Sequence, residues 1–377
     1  MKATGNHLQD WLTLHLAPGL GAASIRRLVE HFGGPGRVLQ ASAGALAQVQ
    51  GLRRDTLAAL QGINKDDIAS RAAAELDKIK QYNIDLITWN DDRYPDLLRT
   101  IHNPPMVLYL KGSVAALQAP GLGMVGSRAA TEYGKEVAHS FGRALAGRGF
   151  AIISGLALGI DAAAHQGALA ADGSTIAVLG CGLDKEYPPE NRKLYREIPA
   201  AGALISEYPL GTPPDSFRFP ARNRIISGLA LGVVVVEASK RSGSLITAQH
   251  ALEQGREVFA IPGRVDSIKS AGTHFLVQQG AKLVHSIDDI LEELPMTTFA
   301  GRGSAVSVAT PNGRGSEAAG LTGDEALLYS FLDVYPKNID DLARAANVIP
   351  QRASEILLLL ELKGVIKALP GKCYTIA

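Results

Sequence analysis

Six short, continuously apolar runs alternate with helical segments between residues 118 and 295. That alternation predicts an α/β protein whose core is a Rossmann-like, mostly parallel sheet covered on both faces. Paired glycine turns between short helices come before it, and three helices with a hairpin come after it. These predict a small all-α helix-hairpin-helix or SAM-like domain over 1–65 and a C-terminal winged helix over 321–377. Residues 66–117 are expected to connect and pack on the core, and 296–320, rich in Gly, Ser, Ala and Thr, to form a flexible linker.

At 377 residues the chain can hold two or three domains. Lys and Arg number 38 against 37 Asp and Glu, a formal charge of +1. Affinity for a polyanion must then come from local patches, which excludes a histone-like binder. Two cysteines, Cys181 and Cys373, are too few for a zinc cluster, and no metal or cofactor is expected. No run reaches the ~18 apolar residues of a membrane span. The opening Met-Lys-Ala-Thr-Gly-Asn-His lacks a signal peptide's apolar core, so a cytoplasmic location is expected.

Leu14-His-Leu-Ala-Pro-Gly-Leu-Gly21, then Ala23-Ser-Ile-Arg-Arg-Leu28, has helix-hairpin-helix form, and Val49-Gln-Gly-Leu-Arg-Arg54 resembles a degenerate second copy. Such a hairpin frees amide N–H groups for a phosphate, yet it also serves in protein packing, and both readings stay open. A helix over 68–82 and strands over 85–89 and 106–112 read as scaffold. Core strands are expected at 122–125, 151–153, 175–179, 204–207, 233–237 and 258–261, with helices at 133–146, 161–170 and 245–254. At the C-terminus, helices over 323–334, 338–346 and 350–363 precede a hairpin at 365–368 and 374–376. The third helix exposes Gln351, Arg352 and Glu355 and is not strongly basic, so duplex binding and protein contact both stay open.

Ligands of a parallel sheet bind beyond the strand C-termini, where the informative turns fall. Gly126-Ser127-Arg128 follows a strand and opens a helix, so backbone amides can hold one phosphate while Arg128 clamps it. A second such turn begins at Ser154 and Gly155, with Asp161 expected to cap the next helix and His165 on its surface. Lys240-Arg-Ser-Gly-Ser244 makes a third. Ser216-Phe-Arg-Phe-Pro-Ala-Arg-Asn-Arg224 sets Arg218, Arg222, Asn223 and Arg224 beside Phe217 and Phe219. Guanidinium grips phosphate and aromatic rings stack on any base, which suits a single strand.

Other chemistry fits poorly. Gly121-Leu-Gly-Met-Val-Gly126 mimics a dinucleotide fingerprint, but its strand lies inside the motif and the acid that should follow the next strand is missing, so NAD is rejected. Cys181 has no evident His partner and reads as a small residue in a tight turn. There is no nucleophile elbow, zinc-binding helix or P-loop. No catalytic residue is assigned.

The 126–128 turn, the run from Ser154 to Asp161 with His165, and Phe219-Pro-Ala-Arg-Asn-Arg-Ile-Ile226 together resemble the DNA-processing protein A (DprA, or Smf) family. Ser242-Gly-Ser-Leu-Ile-Thr-Ala248, Val258-Phe-Ala-Ile-Pro-Gly263 and the stretch from Gly272 to Gly280 match as well. The resemblance implies a non-enzymatic protein of natural transformation that binds and protects incoming single-stranded DNA. It further implies relief of the block by single-strand-binding protein, loading of RecA recombinase, and a homodimer. The family's phosphate-binding arginine falls on Arg128 and its second basic region on 217–224; with the anion-ready turns read above, the expected DNA contacts are Gly126, Ser127, Arg128, Ser154, Gly155, Phe217, Phe219, Arg222, Asn223, Arg224 and Ser244. The dimer surface would lie over 272–284, with His274, Phe275, Leu276, Val277 and Leu283. The alternative is a nucleotide-processing enzyme of the lysine-decarboxylase-like Rossmann group, for which Thr247 is present but Ala248 stands where the catalytic acid belongs.

Overall fold

The computed structural model describes residues 5–294, apart from 53 and 63, and 321–376, apart from 322, 333–336 and 370. The expected linker over 296–320 lies outside the described residues. The chain divides into two compact units, Met1–Ala300 and Gly301–Ala377.

The first unit begins with short helices α1 (Gly5–Leu16), α2 (Ala22–Phe32), α3 (Pro35–Gln40), α4 (Ala43–Ala47) and α5 (Arg54–Gly62), then the long α6 (Lys65–Gln81). The two expected hairpins are the turns α1–α2 and α4–α5. Each turns on a glycine in the left-handed region, Gly19 and Gly51, both at φ +77, where a side chain would be strained. Arg27 of the first hairpin donates to the Gly51 carbonyl of the second and ties the pair together. The helices do not stand apart from the sheet: Trp11, Leu14, Ile25 and Leu28 share one buried cluster with Tyr109, Leu179 and Leu204.

The two strands expected within 66–117 form, and they add an antiparallel edge to the sheet. Strands β1 (Asp85–Thr88) and β2 (Val107–Gly112), with α7 (Asp96–Arg99) between them, pair antiparallel with each other. The core follows as β3 (Gly121–Val125), α8 (Glu132–Gly147), β4 (Ala151–Ser154), α9 (Ile160–Leu169), β5 (Thr175–Leu179), α10 (Arg192–Ala201), β6 (Ala203–Ser206) and α11 (Arg218–Leu229). It ends with β7 (Gly232–Val235), α12 (Gly243–Glu253), β8 (Glu257–Ala260), α13 (Ala271–Gln278), β9 (Lys282–Leu283) and α14 (Ile287–Glu293).

Among the described residues the strands form one nine-stranded sheet in the order β1-β2-β6-β5-β4-β3-β7-β8-β9. β2 pairs antiparallel with β6, and every pair from β6 to β9 is parallel. The parallel strands are mostly apolar because helices cover both faces. From β3 the chain moves outward to β4, β5 and β6, then returns to the other side of β3 with β7. β3 and β7 therefore form the topological switch point, where the connections part and leave a crevice at the strand C-termini.

Two local features differ from expectation. The aromatic and arginine-rich stretch is helical, and Pro220 is tolerated because it sits in the first turn of α11, where no intrahelical donor is needed. Asp161 does not cap α9. Its carboxylate reaches back to the amides of Gly155 and Ala157, at 3.1 and 3.3 Å, and fixes the loop before the helix.

The second unit is a winged helix of α15 (Gly323–Ser330), β10 (Lys337–Asn338), α16 (Ile339–Ala345), α17 (Pro350–Leu362), β11 (Ile366–Leu369) and β12 (Cys373–Ile376). Its wing has a third short strand beyond the expected hairpin, in the order β10-β12-β11. Leu328, Leu342, Ile356, Leu357 and Leu360 fill its core.

Candidate nucleic-acid interface

A cavity of about 630 Å³ opens at the switch point. The 126–129 turn leading to α8, the start of α9, the first half of α11 and the first turn of α12 all line it. The N-termini of α9, α11 and α12 thus border one space beside the 126–129 turn, and the positive end of each helix dipole faces it.

The 126–128 turn is held from both sides. The Ser127 amide donates to the Glu237 carbonyl at 2.8 Å, and the Ile160 amide donates to the Ser127 carbonyl at 3.2 Å. Glu237, buried just past β7, also accepts through its carboxylate from the Thr131 amide at 2.9 Å and from the Thr131 hydroxyl. That hydroxyl in turn accepts the Gly134 amide and caps α8. Gly159, at φ +77, lies so close that a Cβ would come within 2.3 Å of the Ser127 carbonyl oxygen.

Arg128 emerges from this clamped turn exposed to solvent, and among the described residues no carboxylate pairs with it. Its guanidinium carbon lies 5.2 Å from the centre of the Phe219 ring. On Phe219 stacks Tyr187, with centroids 5.7 Å apart and planes within 15°. The row Arg128–Phe219–Tyr187 borders both the large cavity and a smaller one of about 70 Å³ reaching toward Gly155 and Cys181.

Arg222 forms the floor. Only 4% exposed, it donates to the carbonyls of Gly155, at 3.0 Å, and Val178, and so ties the ends of β4 and β5 together. Burial lowers its pKa to about 10, still well above neutral pH, while the nearby Asp161 carboxylate pulls it upward. Burial pushes the Asp161 carboxyl up, opposed by Arg222 and the two amide donors. Gly155 is required by contact, because a Cβ there would lie 2.5 Å from the Arg222 guanidinium.

The expected contact residues therefore separate. Gly126, Ser127, Arg128, Phe219, Arg222, Asn223 and Ser244 meet at the large cavity, and Gly155 lines the smaller one. Ser154, Phe217 and Arg224 line neither. Ser154 is fully buried and donates to the Met124 carbonyl at 2.6 Å. Phe217 is 68% exposed against the Arg218 guanidinium. Arg224 turns away into a bidentate pair with Glu207, at 2.7 and 2.6 Å, and donates to the Asn103 carbonyl at 3.0 Å. A two-residue step on a helix rotates a side chain to another face, so Arg222 and Arg224 cannot act as one fork.

His165 is not on the surface either. It is fully buried, its Nδ1 is 2.7 Å from the Thr175 hydroxyl, and burial drops its pKa to about 3. Cys181 is buried and its thiol is raised to about 11, chiefly by burial. Sequence reasoning missed Tyr187 and Glu237. The signals were a Tyr-Pro-Pro turn beyond a strand C-terminus and a lone carboxylate ending the apolar run Val233-Val-Val-Val236. At the expected dimer surface, Leu276 is buried, Val277 packs on the core and His274 contacts the Gly263 carbonyl, whereas Phe275 and Leu283 are half exposed.

Residues 85–295 match the family model for DNA recombination-mediator protein A, and residues 313–372 match the DprA winged helix domain. Protein Smf of Escherichia coli strain K12 is 43% identical over 296 residues, covering 78% of each chain. DNA processing protein DprA of Streptococcus pneumoniae is 48% identical over 203 residues, 54% of this chain and 72% of that one. The X-ray structure of DNA processing protein A from Streptococcus pneumoniae superposes with a TM-score of 0.68 at 38% identity, covering 78% of this chain and 99% of that one. A structure describing the single-stranded DNA binding mode of DNA processing protein A from Helicobacter pylori aligns at 31% identity with a TM-score of 0.51, over 56% and 97%. A family match across more than half the sequence, joined to close relatives over most of their length, makes this chain a member of the DprA/Smf DNA recombination-mediator family.

Proposed function

We propose that this chain binds single-stranded DNA in the switch-point cavity, and that Arg128 and the amides of its turn grip phosphate while Phe219 and Tyr187 offer faces to bases. The observation that carries the reading is an exposed arginine, unpaired among the described residues, projecting from a rigidly braced turn beside the N-termini of α9, α11 and α12. Lys240 and Arg241, lining an adjoining groove, extend the positive surface. Among the described residues the one carboxylate lining the cavity, Asp161, is occupied by amides and Arg222. The Helicobacter pylori relative's single-stranded DNA binding supports the same assignment.

In this reading the protein acts stoichiometrically in the cytoplasm, without turnover. It holds and protects transforming DNA, overcomes the block by single-strand-binding protein and loads RecA. It works as a homodimer through the β9 end of the sheet, where Phe275, Leu283, Val265 and Ile268 expose apolar surface. A dimer with two cavities would lengthen residence on one strand by avidity.

Fluorescence anisotropy of labelled oligo-dT across a salt titration tests the reading. Each neutralised phosphate contributes roughly 0.7 to the log–log salt slope. Arg128→Ala is expected to weaken binding and flatten the slope by about that amount. A folded Arg128→Ala protein with unchanged affinity and slope would refute it.

A further inference from the structure

Helix α17 stands where a winged helix commonly meets its target. Its inner row, Ala353, Ile356, Leu357 and Leu360, fills the domain core. The opposite face of a merely solvated helix would be polar. Here it exposes Leu358 at 57%, Leu359 at 46% and Leu362 at 77%. Leu358 and Leu362 stand four residues apart, one above the other on the same face.

The charges around these leucines oppose a phosphate backbone. Arg352 is the lone cation of α17 and is shared between Asp324 at 3.2 Å and Glu355 at 2.9 Å. Lys363, just past the helix, is held by Glu325 at 2.7 Å. On this face Asp324, Glu355 and Glu361 thus stand against the single cation Arg352, and Lys363 is already neutralised by the buried Glu325. Duplex binding needs unpaired cations along the face that enters the groove.

We propose that α17 is a protein-docking face, and that its partner is an amphipathic helix with aliphatic anchors flanked by lysine or arginine. The leucines supply the apolar contact, and the surrounding acids select basic flanks. A second copy of the same face is disfavoured, because a two-fold pairing would bring one net-acidic face against another.

The test uses the full chain and two synthetic helical peptides with identical leucine positions, one with lysine and one with glutamate between them, followed by anisotropy. The leucine–lysine peptide should bind at least about tenfold more tightly than the leucine–glutamate peptide. Leu358→Gln with Leu362→Gln should abolish that binding while oligo-dT affinity stays unchanged. Glu355→Lys with Glu361→Lys should shift preference toward the glutamate peptide. Equal binding of the two peptides, or an unchanged glutamine variant, would overturn the proposal. So would duplex binding lost in Arg352→Ala, or self-association in sedimentation velocity lost in the glutamine variant.

Discussion

Removing the Glu237 carboxylate tests whether the Arg128 turn works because it is braced. Glu237→Ala takes two acceptors from Thr131, the amide bond at 2.9 Å and the hydroxyl bond. Hydrogen bonds to charged groups contribute about 1.5–3 kcal/mol each. Both bonds are only part-buried, so water recovers some of that loss. A net destabilisation of roughly 2–3 kcal/mol is expected, lowering Tm by about 4–8 °C in a unit of this size. The backbone bond from Ser127 to the Glu237 carbonyl survives the substitution, so the sheet should stay intact. The decisive assay is a double-mutant cycle on oligo-dT affinity with Arg128→Ala. If Glu237 acts by positioning Arg128, its loss should weaken binding alone yet add nothing once Arg128 is gone. Additive losses, or a folded Glu237→Ala protein with wild-type affinity, would refute the reasoning.

Three further outcomes follow from the same geometry. Arg224→Gln should lower Tm by stranding the Glu207 carboxylate, yet leave the oligo-dT salt slope unchanged, because Arg224 turns away from the cavity. Buried neutral His165, with a folded pKa of about 3, binds no proton where the unfolded chain does below pH ~6.5. Stability should therefore fall as pH drops from about 6.5 toward 3, by roughly 2 kcal/mol at pH ~5, and His165→Gln should flatten that limb in thermal melts. Cys181, buried with its thiol raised to about 11, should resist a thiol reagent in the native protein while Cys373 reacts, and should label only after unfolding.

The parallel core was legible because burial on both faces writes itself as unbroken apolar runs such as Ile176–Leu179, and helices separated them. Strands β1 and β2 looked like scaffold because an antiparallel edge depends on long-range pairing with β6 that no local pattern encodes. At the site, the 126–128 turn was readable from its position after a strand. The fates of Arg222 and Arg224 were not. Two arginines two residues apart look alike until the stretch is known to be helical, and only then does one reach the cavity floor and the other Glu207. Asp161 was misplaced for a related reason, since a carboxylate at a helix start can cap that helix or hold the loop before it.

The most direct test of the account is a crystal structure of the protein with oligo-dT. The account predicts a phosphate within hydrogen-bonding reach of the Arg128 guanidinium beside the 126–128 turn, with a base against Phe219 or Tyr187. A strand bound elsewhere, leaving Ser127, Arg128 and Asn223 untouched, would contradict it.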